Sequence, residues 1–127
     1  MKTLGITTIG QMNWQEILAG DFPRSTEAVT IASGNNLKFG SVIGKITNTD
    51  TYKLVDSSAT DGSQEPFAVL MEDVDASAGP AVGIANLTGE YIRTKLIFGG
   101  SDTWQTHFTA ARKNSIFFKE SRQAPNQ

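Results

Sequence analysis

Residues Pro66–Val74 read PFAVLMEDV, and this stretch decides the fold class. Its apolar side chains occupy successive positions, and successive side chains of a β-strand point to opposite faces. The pattern therefore predicts one strong strand through the whole stretch. Its two faces comprise Phe67, Val69 and Met71 on one side, and Ala68, Leu70 and Glu72 on the other.

Further short apolar segments lie on both sides of this strand, and residues typical of turns separate them. Because short strands with regular turns are typical of small all-β folds, we predict a β-rich α+β domain with a barrel-like or sandwich-like sheet. We expect the pair around LTGEYI to join tightly at Gly89. The predicted strands are Ala28–Ala32, Ser41–Thr47, Tyr52–Val55, Ala81–Thr88, Glu90–Phe98 and Ser115–Lys119.

One helix is predicted in the C-terminal half, from Thr103 to about Lys113. Its apolar residues Trp104, Phe108 and Ala111 share one face, and Ser101 or Asp102 is expected to cap it. Asn114 can close the helix. In the strand that follows, Ile116 and Phe118 are expected to face one way and Phe117 the other.

A glycine-rich stretch, IASGNNLKFGSVIGKIT, covers residues 31–47. Its last glycine, Gly44, is followed directly by Lys45. A phosphate-binding loop needs four residues between its glycines and a Ser or Thr after the lysine. Only three residues separate Gly40 from Gly44, and Ile46 follows the lysine. We therefore expect Gly34 and Gly40 to permit positive φ at turns, and Gly44 to mark a bulge or a close backbone approach.

The first 27 residues lack strand alternation and are predicted to form an extended N-terminal arm. Within it, 12–20 has the signals of a short helix, with Asn13 as a cap and Gly20 at its end. Trp14, Ile17 and Leu18 share one face of that helix, which can rest either on its own domain or on a partner. The division we expect is an arm at 1–27, a β-rich domain at 28–119 and a tail at 120–127.

The composition of the 127 residues restricts the class of protein. A net charge of −2 argues against binding to nucleic acid. The chain has no cysteine, no apolar run long enough to span a membrane and no apolar signal-peptide core, so we expect synthesis without Sec export. Acidic residues concentrate in 46–90 and basic ones in 91–127. This pattern fits a solvated acidic face or head-to-tail attraction between identical subunits.

Candidate catalytic and metal-binding residues are few. The acidic stretches fail the spacing of an EF-hand loop. His107 is the single histidine, so neither a zinc cluster nor a Cys/His pair is available. Asp73 and Asp75 could form a carboxylate pair, although an acidic turn is the simpler interpretation. We expect no enzyme activity, no cofactor, no metal, no membrane partner and no small-molecule substrate.

The order of these features resembles the lambda-like phage head decoration protein D family. The resemblance is carried by Ser33-Gly34, Gly40 and Gly44, then Asp61-Gly62 before the strand Pro66–Leu70, then Gly89-Glu90, and finally a helix closing into 115–119. It covers roughly residues 22–119. It implies a homotrimer on the outside of an expanded icosahedral capsid, made in the host cytoplasm and located in the virion.

The resemblance also implies that the N-terminal arm binds the major capsid protein, as a helix or as an added strand. The capsid-binding residues predicted on that basis are Trp14, Ile17, Leu18, Phe22 and Pro23. Two other hypotheses stay open at this point. One is a virion-surface or secreted β-module that binds a glycan or a host surface, and the other is a hydrolase that uses Asp73 and Asp75.

Overall fold

The computed structural model describes residues 17–20 and 22–120. Strands dominate this part of the chain, and a 3-10 helix (Arg93–Lys95) and an α-helix (α1, Trp104–Lys113) lie in its C-terminal half. The strands are β1 (Thr26–Ile31), β2 (Asn35–Leu37), β3 (Val42–Ile46), β4 (Thr51–Leu54), β5 (Ala68–Leu70), β6 (Val74–Ala76), β7 (Ala81–Asn86), β8 (Gly89–Ile92) and β9 (Ile116–Lys119).

Five of the strands form a closed barrel in the order β1-β4-β3-β5-β7. The longest pairing is antiparallel, between β1 and β7, and runs from Thr26 opposite Asn86 to Ile31 opposite Ala81. A parallel pairing of Ile31 with Tyr52 closes the ring. The predicted fold class, a β-rich domain with a barrel and one helix in the C-terminal half, is confirmed.

The barrel wall separates two hydrophobic cores. In β5, Ala68 and Leu70 point into the barrel interior, while Val69 and the following Met71 point into a second core outside it. The predicted alternation is confirmed for these four residues. It is wrong for Phe67, which packs on the barrel side with its ring centroid 5.6 Å from that of Tyr52.

The second core lies between the barrel, α1 and a two-stranded parallel sheet of β8 and β9. The register of that sheet runs from Gly89 opposite Ile116 to Ile92 opposite Lys119. The second core contains side chains from both ends of the described chain. The buried members are Ile17, Leu18, Val42, Val55, Val69, Met71, Tyr91, Ala111, Ile116 and Phe118.

Two strand predictions around β8 are wrong. The segments on either side of Gly89 do not pair with each other in the described structure, because β8 pairs with β9, and the Gly89 amide donates to the Ser115 carbonyl at 3.0 Å. The strand predicted over 90–98 ends at Ile92, where the 3-10 helix begins. A local pattern does not reveal a partner that lies so far along the chain.

The single strand predicted for Pro66–Val74 is also wrong, because β5 ends at Leu70 and β6 begins at Val74 in a different sheet. At the break, two carboxylate side chains accept hydrogen bonds from backbone amides of neighbouring segments. Glu72 Oε2 accepts from the Ile84 amide at 2.8 Å, and Asp73 Oδ1 accepts from the Phe39 amide at 2.8 Å. These side chains satisfy the donors that a continuous strand would have paired.

The helix α1 is capped by Thr103, not by the predicted Ser101 or Asp102. The Thr103 hydroxyl accepts from the Gln105 amide at 3.3 Å, and the Thr103 amide donates to the Thr106 hydroxyl at 3.1 Å. At the other end, the predicted closing residue Asn114 is confirmed as the C-cap. In β9, Ile116 and Phe118 are buried and Phe117 faces the other way, as predicted.

The glycine predictions are confirmed. Gly34 and Gly40 have φ values of 94° and 91°. A Cβ at Gly44 would collide with the backbone of Ser63, because the loop between β4 and β5 crosses the barrel there. The glycines of residues 31–47 therefore serve the turns and the close backbone approach of the β-structure.

Candidate functional site

The predicted capsid-binding residues lie in different environments. Trp14 lies outside the described residues. Ile17 and Leu18 are buried, each with 3% of its surface exposed, and both belong to the second core. Leu18 forms an isolated antiparallel bridge with Tyr91, so the helix predicted for 12–20 does not include Leu18. Contact between these two side chains and a capsid stays a prediction, and it would require them to leave the body.

Residues 17–20 and 22–25 follow the surface of the β8–β9 sheet and are called the anchor segment here. The Ala19 amide donates to the Glu90 carbonyl at 2.9 Å. The Glu90 side chain also holds the segment, since its Oε1 accepts from the Phe22 amide at 3.2 Å and its Oε2 lies 3.1 Å from Lys119 Nζ. A Cβ at Gly20 would collide with the Glu90 carboxylate, so any larger residue there would displace that side chain from its present position.

The second half of the anchor segment is fastened through Phe22 and Thr88. The Phe22 ring packs edge-on against Phe117, with centroids 5.0 Å apart. The Thr88 hydroxyl donates to the Pro23 carbonyl at 2.7 Å and accepts from the Ser25 amide at 3.0 Å. Pro23 itself is exposed. Among the described residues, contacts with the body are therefore present from Ile17 onward, well before the predicted arm boundary at residue 27.

Tyr91 lies beneath the anchor segment and is fully buried. Its hydroxyl donates to the Thr88 carbonyl at 2.6 Å. This bond fixes the backbone at Thr88, whose side chain also binds the anchor segment. Burial raises the pKa of Tyr91 to about 12. The phenol is therefore neutral at physiological pH, and it acts as a structural hydrogen-bond donor.

A buried polar cluster around Asp102 joins the helix to the loop between β4 and β5. Asp102 accepts from the Ser57 amide at 2.6 Å and from the Ser57 hydroxyl at 2.7 Å, and its Oδ2 lies 2.8 Å from His107 Nε2. The His107 ring stacks on Phe98 at 5.7 Å. Burial alone would raise the pKa of Asp102, but the bonds from Ser57 and His107 outweigh it and lower the pKa.

The geometry of this cluster indicates a structural role, in which it links α1 to the loop between β4 and β5. The Ser57 hydroxyl donates to the carboxylate, whereas a nucleophilic serine would donate to the imidazole. The sequence identified His107 only as the single histidine and did not reveal its partner. Asp102 was considered only as a possible cap of the helix predicted from Thr103, and no sequence signal links it to Ser57.

The acidic residues considered as a catalytic pair act separately. Asp73 accepts from the Phe39 amide, while Asp75 accepts from the Ser77 amide at 3.0 Å and from the Ser77 hydroxyl at 2.6 Å. The same Asp-x-Ser turn recurs in Asp56–Ser58 and Asp61–Ser63. In each turn, hydrogen bonds from the serine lower the pKa of the aspartate.

Among residues 17–20 and 22–120, no group of three or more histidine, cysteine or acidic side chains is arranged to hold a metal ion. The helices of this part of the chain include none that is long and apolar enough to cross a membrane.

The two ends of the described body lie side by side. Leu18 is antiparallel to β8 opposite Tyr91, and Lys119 is parallel to β8 opposite Ile92. The chain before Ile17 and the chain after Glu120 therefore both leave at the C-terminal end of β8.

Comparison with known protein families identifies one match over most of the chain. The sequence model of the family described as bacteriophage lambda head decoration protein D matches residues 8–115. The match includes most of the predicted arm, the whole barrel and all of α1. A comparison with curated protein sequences gives no match.

Proposed function

The chain belongs to the bacteriophage lambda head decoration protein D family, and we propose that it binds as a trimer to the outside of an expanded icosahedral head and stabilises that head. Membership supports a capsid decoration role in the virion, and the family is one of structural capsid proteins. The observation that carries the proposal is the extent of the match, because it begins inside the N-terminal arm and continues through the folded body.

Stabilisation of a shell requires buried contact area repeated by symmetry and needs no chemical step. A trimer uses one contact three times, and it presents three arms together, so that weak single contacts combine through effective concentration. The uneven charge supports a head-to-tail trimer, since 46–90 is acidic and 91–127 is basic.

We propose that the capsid-binding arm consists of the residues before Ile17. The anchor segment supports this narrower assignment, because Ile17 and Leu18 already contribute their apolar surface to the second core. Trp14 is the predicted contact residue that lies in the arm so defined. Phe22 and Pro23 lie against the body, where Pro23 is exposed.

The proposal is tested by mixing the protein with heads of its own phage that lack decoration, before and after expansion. We expect saturable co-sedimentation with expanded heads, in multiples of three copies per site, and a higher temperature of head disruption. Density at the three-fold positions in electron microscopy would establish the trimer. Absence of binding to both head forms would overturn the proposal.

The role of the arm is tested in the full chain with Trp14→Ala. We expect weaker binding to expanded heads and an unchanged melting temperature of the free protein, because the proposal assigns Trp14 to the capsid-binding arm. The matched control is Phe22→Ala, which removes an aromatic side chain that packs on Phe117 at 5.0 Å. It should lower the melting temperature instead. If Trp14→Ala binds as tightly as the unaltered protein, the arm assignment fails.

A further inference from the structure

We propose that Asp61-Gly62 is a latent site of isoaspartate formation, and that Ser63 and Gln64 hold both reacting groups so that the folded loop suppresses the reaction. Such protection concerns the chemical durability of the chain and is independent of the proposed function. The chain has one Asp-Gly pair and no Asn-Gly pair. In these dipeptides the glycine nitrogen attacks the preceding side chain most readily, because glycine has no Cβ to hinder the approach.

The reaction requires no partner except water. The Gly62 nitrogen attacks Cγ of the neutral Asp61 carboxyl, a new C–N bond forms, and the carboxyl hydroxyl leaves as water together with the amide proton. Water then opens the resulting succinimide ring at either carbonyl. Opening at the α-carbonyl leaves Gly62 joined through the side-chain carboxyl, so the main chain gains one methylene and Asp61 gains a free α-carboxylate.

The fold requires a glycine at position 62. Gly62 has a φ of 109°, which residues with a side chain rarely adopt. A Cβ at this position would lie 2.6 Å from the Lys45 carbonyl oxygen and would also collide with Thr47. Thr47 is fixed there, because its amide donates to the Asp61 carbonyl at 2.9 Å. The loop therefore needs the residue that makes the preceding aspartate susceptible.

The electrophile of the reaction, the Asp61 carboxyl, is held as an oriented carboxylate. Its Oδ1 accepts from the Ser63 hydroxyl at 2.6 Å and from the Ser63 amide at 3.0 Å, and its Oδ2 lies 3.3 Å from Lys53 Nζ. Ser63 is completely buried, so its position is fixed by packing. The bonds from Ser63 lower the pKa of Asp61 to about 2. The neutral, reactive fraction at near-neutral pH therefore falls by more than about tenfold.

The nucleophile of the reaction, the Gly62 nitrogen, is also engaged. Its N–H donates to Gln64 Oε1 at 2.8 Å, and the nitrogen must give up this proton as the ring forms. The turn Asp75–Ser77 provides a contrast, since Asp75 accepts the same two bonds from its serine. There Ala76 follows the aspartate, and its Cβ hinders the attack.

Isoaspartate at position 61 would disturb the barrel wall. The Ser63 backbone lies so close to Gly44 of β3 that a Cβ would not fit between them, and the Thr47 amide bonds to the Asp61 carbonyl. An extra methylene between Asp61 and Gly62 would shift both contacts. Protection of this single peptide bond therefore preserves the loop that crosses the barrel.

The proposal is tested by incubating the full chain at near-neutral pH, folded and in denaturant, and measuring isoaspartate at Asp61 by electron-transfer mass spectrometry of its peptides. We expect the folded, unaltered protein to react more slowly than the denatured protein by about tenfold or more. Folded Ser63→Ala should react faster than the folded parent by about tenfold, and Gln64→Ala should show a smaller increase. The matched control is Ser77→Ala, which removes the same hydroxyl bond from Asp75 and should leave both aspartates reacting at the parent rate.

Melting temperatures establish that each variant is folded during the incubation, and Gln64→Ala decides the matter if Ser63→Ala does not fold. Equal rates in folded and denatured parent protein would overturn the proposal. Folded variants at Ser63 and Gln64 that react no faster than the parent would overturn it as well. If Ser77→Ala accelerates the reaction at Asp61 as much as Ser63→Ala does, general loosening controls the rate and the proposal fails. Head binding enters none of these measurements, so the proposed function stands or falls separately.

Discussion

The barrel core and the second core are assembled from different parts of the chain. The barrel core takes its buried residues from one continuous region, Val29–Ala85, whose first and last strands pair with each other. The second core joins Ile17 and Leu18 to residues up to Phe118. The barrel core is therefore closed within one region of the chain, whereas the second core exists only when both ends of the described chain return to β8.

The difference bears on function because the second core holds the chain ends at one place. Closing a loop costs conformational entropy that grows slowly with its length, so such distant contacts form at moderate cost once the barrel exists. As a result of these contacts, the anchor segment and β9 lie on either side of β8. The barrel provides a rigid body, and the second core determines where the arm leaves it.

The largest expected effect is in the barrel core. Leu70→Ala removes a side chain that is completely buried, and we expect a loss of about 2–5 kcal/mol in the free energy of unfolding. Denaturant titration would measure it. The control is Val82→Ala on the outer face of β7, where the side chain is 67% exposed and the change should stay within about 0.5 kcal/mol. Equal losses in the two variants would contradict the assignment of Leu70 to the interior.

A smaller loss is expected for Leu18→Ala, although Leu18 is 3% exposed. The anchor segment can detach while the barrel stays folded, so the cost is limited by the local stability of that segment. We expect about 1–2 kcal/mol, accompanied by faster hydrogen exchange of the Ala19 amide. A loss as large as that of Leu70→Ala, without faster local exchange, would show that the two cores unfold as one unit.

The close approach at Gly20 gives a sharper test of the anchor segment. Gly20→Ala forces the Glu90 carboxylate away from the Phe22 amide and Lys119, and we expect a loss of about 1 kcal/mol. In a Glu90→Ala background the same change should cost much less, because the obstructing carboxylate is gone. A double-mutant cycle measures the difference. If the costs are equal, the approach of Gly20 to Glu90 does not constrain the segment.

The smallest expected effect concerns the pH dependence of a surface turn. Bonds from Ser63 lower the pKa of Asp61 from 3.8 to about 2. Because the folded pKa lies below the unfolded one, the stabilisation is present above about pH 4 and is lost as the pH falls toward 2. An NMR titration of the Asp61 carboxyl should show a midpoint near 2. In Ser63→Ala it should move up toward the ordinary value, and an unchanged midpoint would contradict the role of the turn.

Several elements could be predicted because their determinants lie close together in the sequence. The helix α1 has an apolar stripe and a closing asparagine within one segment, and β9 alternates over four residues. The break between β5 and β6 was missed because the side chains of Glu72 and Asp73 accept hydrogen bonds from the amides of Ile84 and Phe39. A run of alternating residues does not show which of its members will bond outside the strand.

The candidate site was predictable only in outline. The sequence indicated an apolar segment before the first strand and, through the resemblance, a decoration role that the family match supports. It did not show that Ile17 and Leu18 reach Tyr91, or that Arg93 covers Trp104. Those contacts join residues far apart in the chain, and neither partner carries a local signal of the other.

By itself, the sequence determined the β-rich class, the position of the helix and the turns that need glycine, because periodicity and backbone preference act over a few neighbouring residues. The tertiary structure alone decided that β8 pairs in parallel with β9, that the anchor segment covers this sheet and that both chain ends leave at one face. These features depend on which distant surfaces bury each other best, and that is a property of the whole fold.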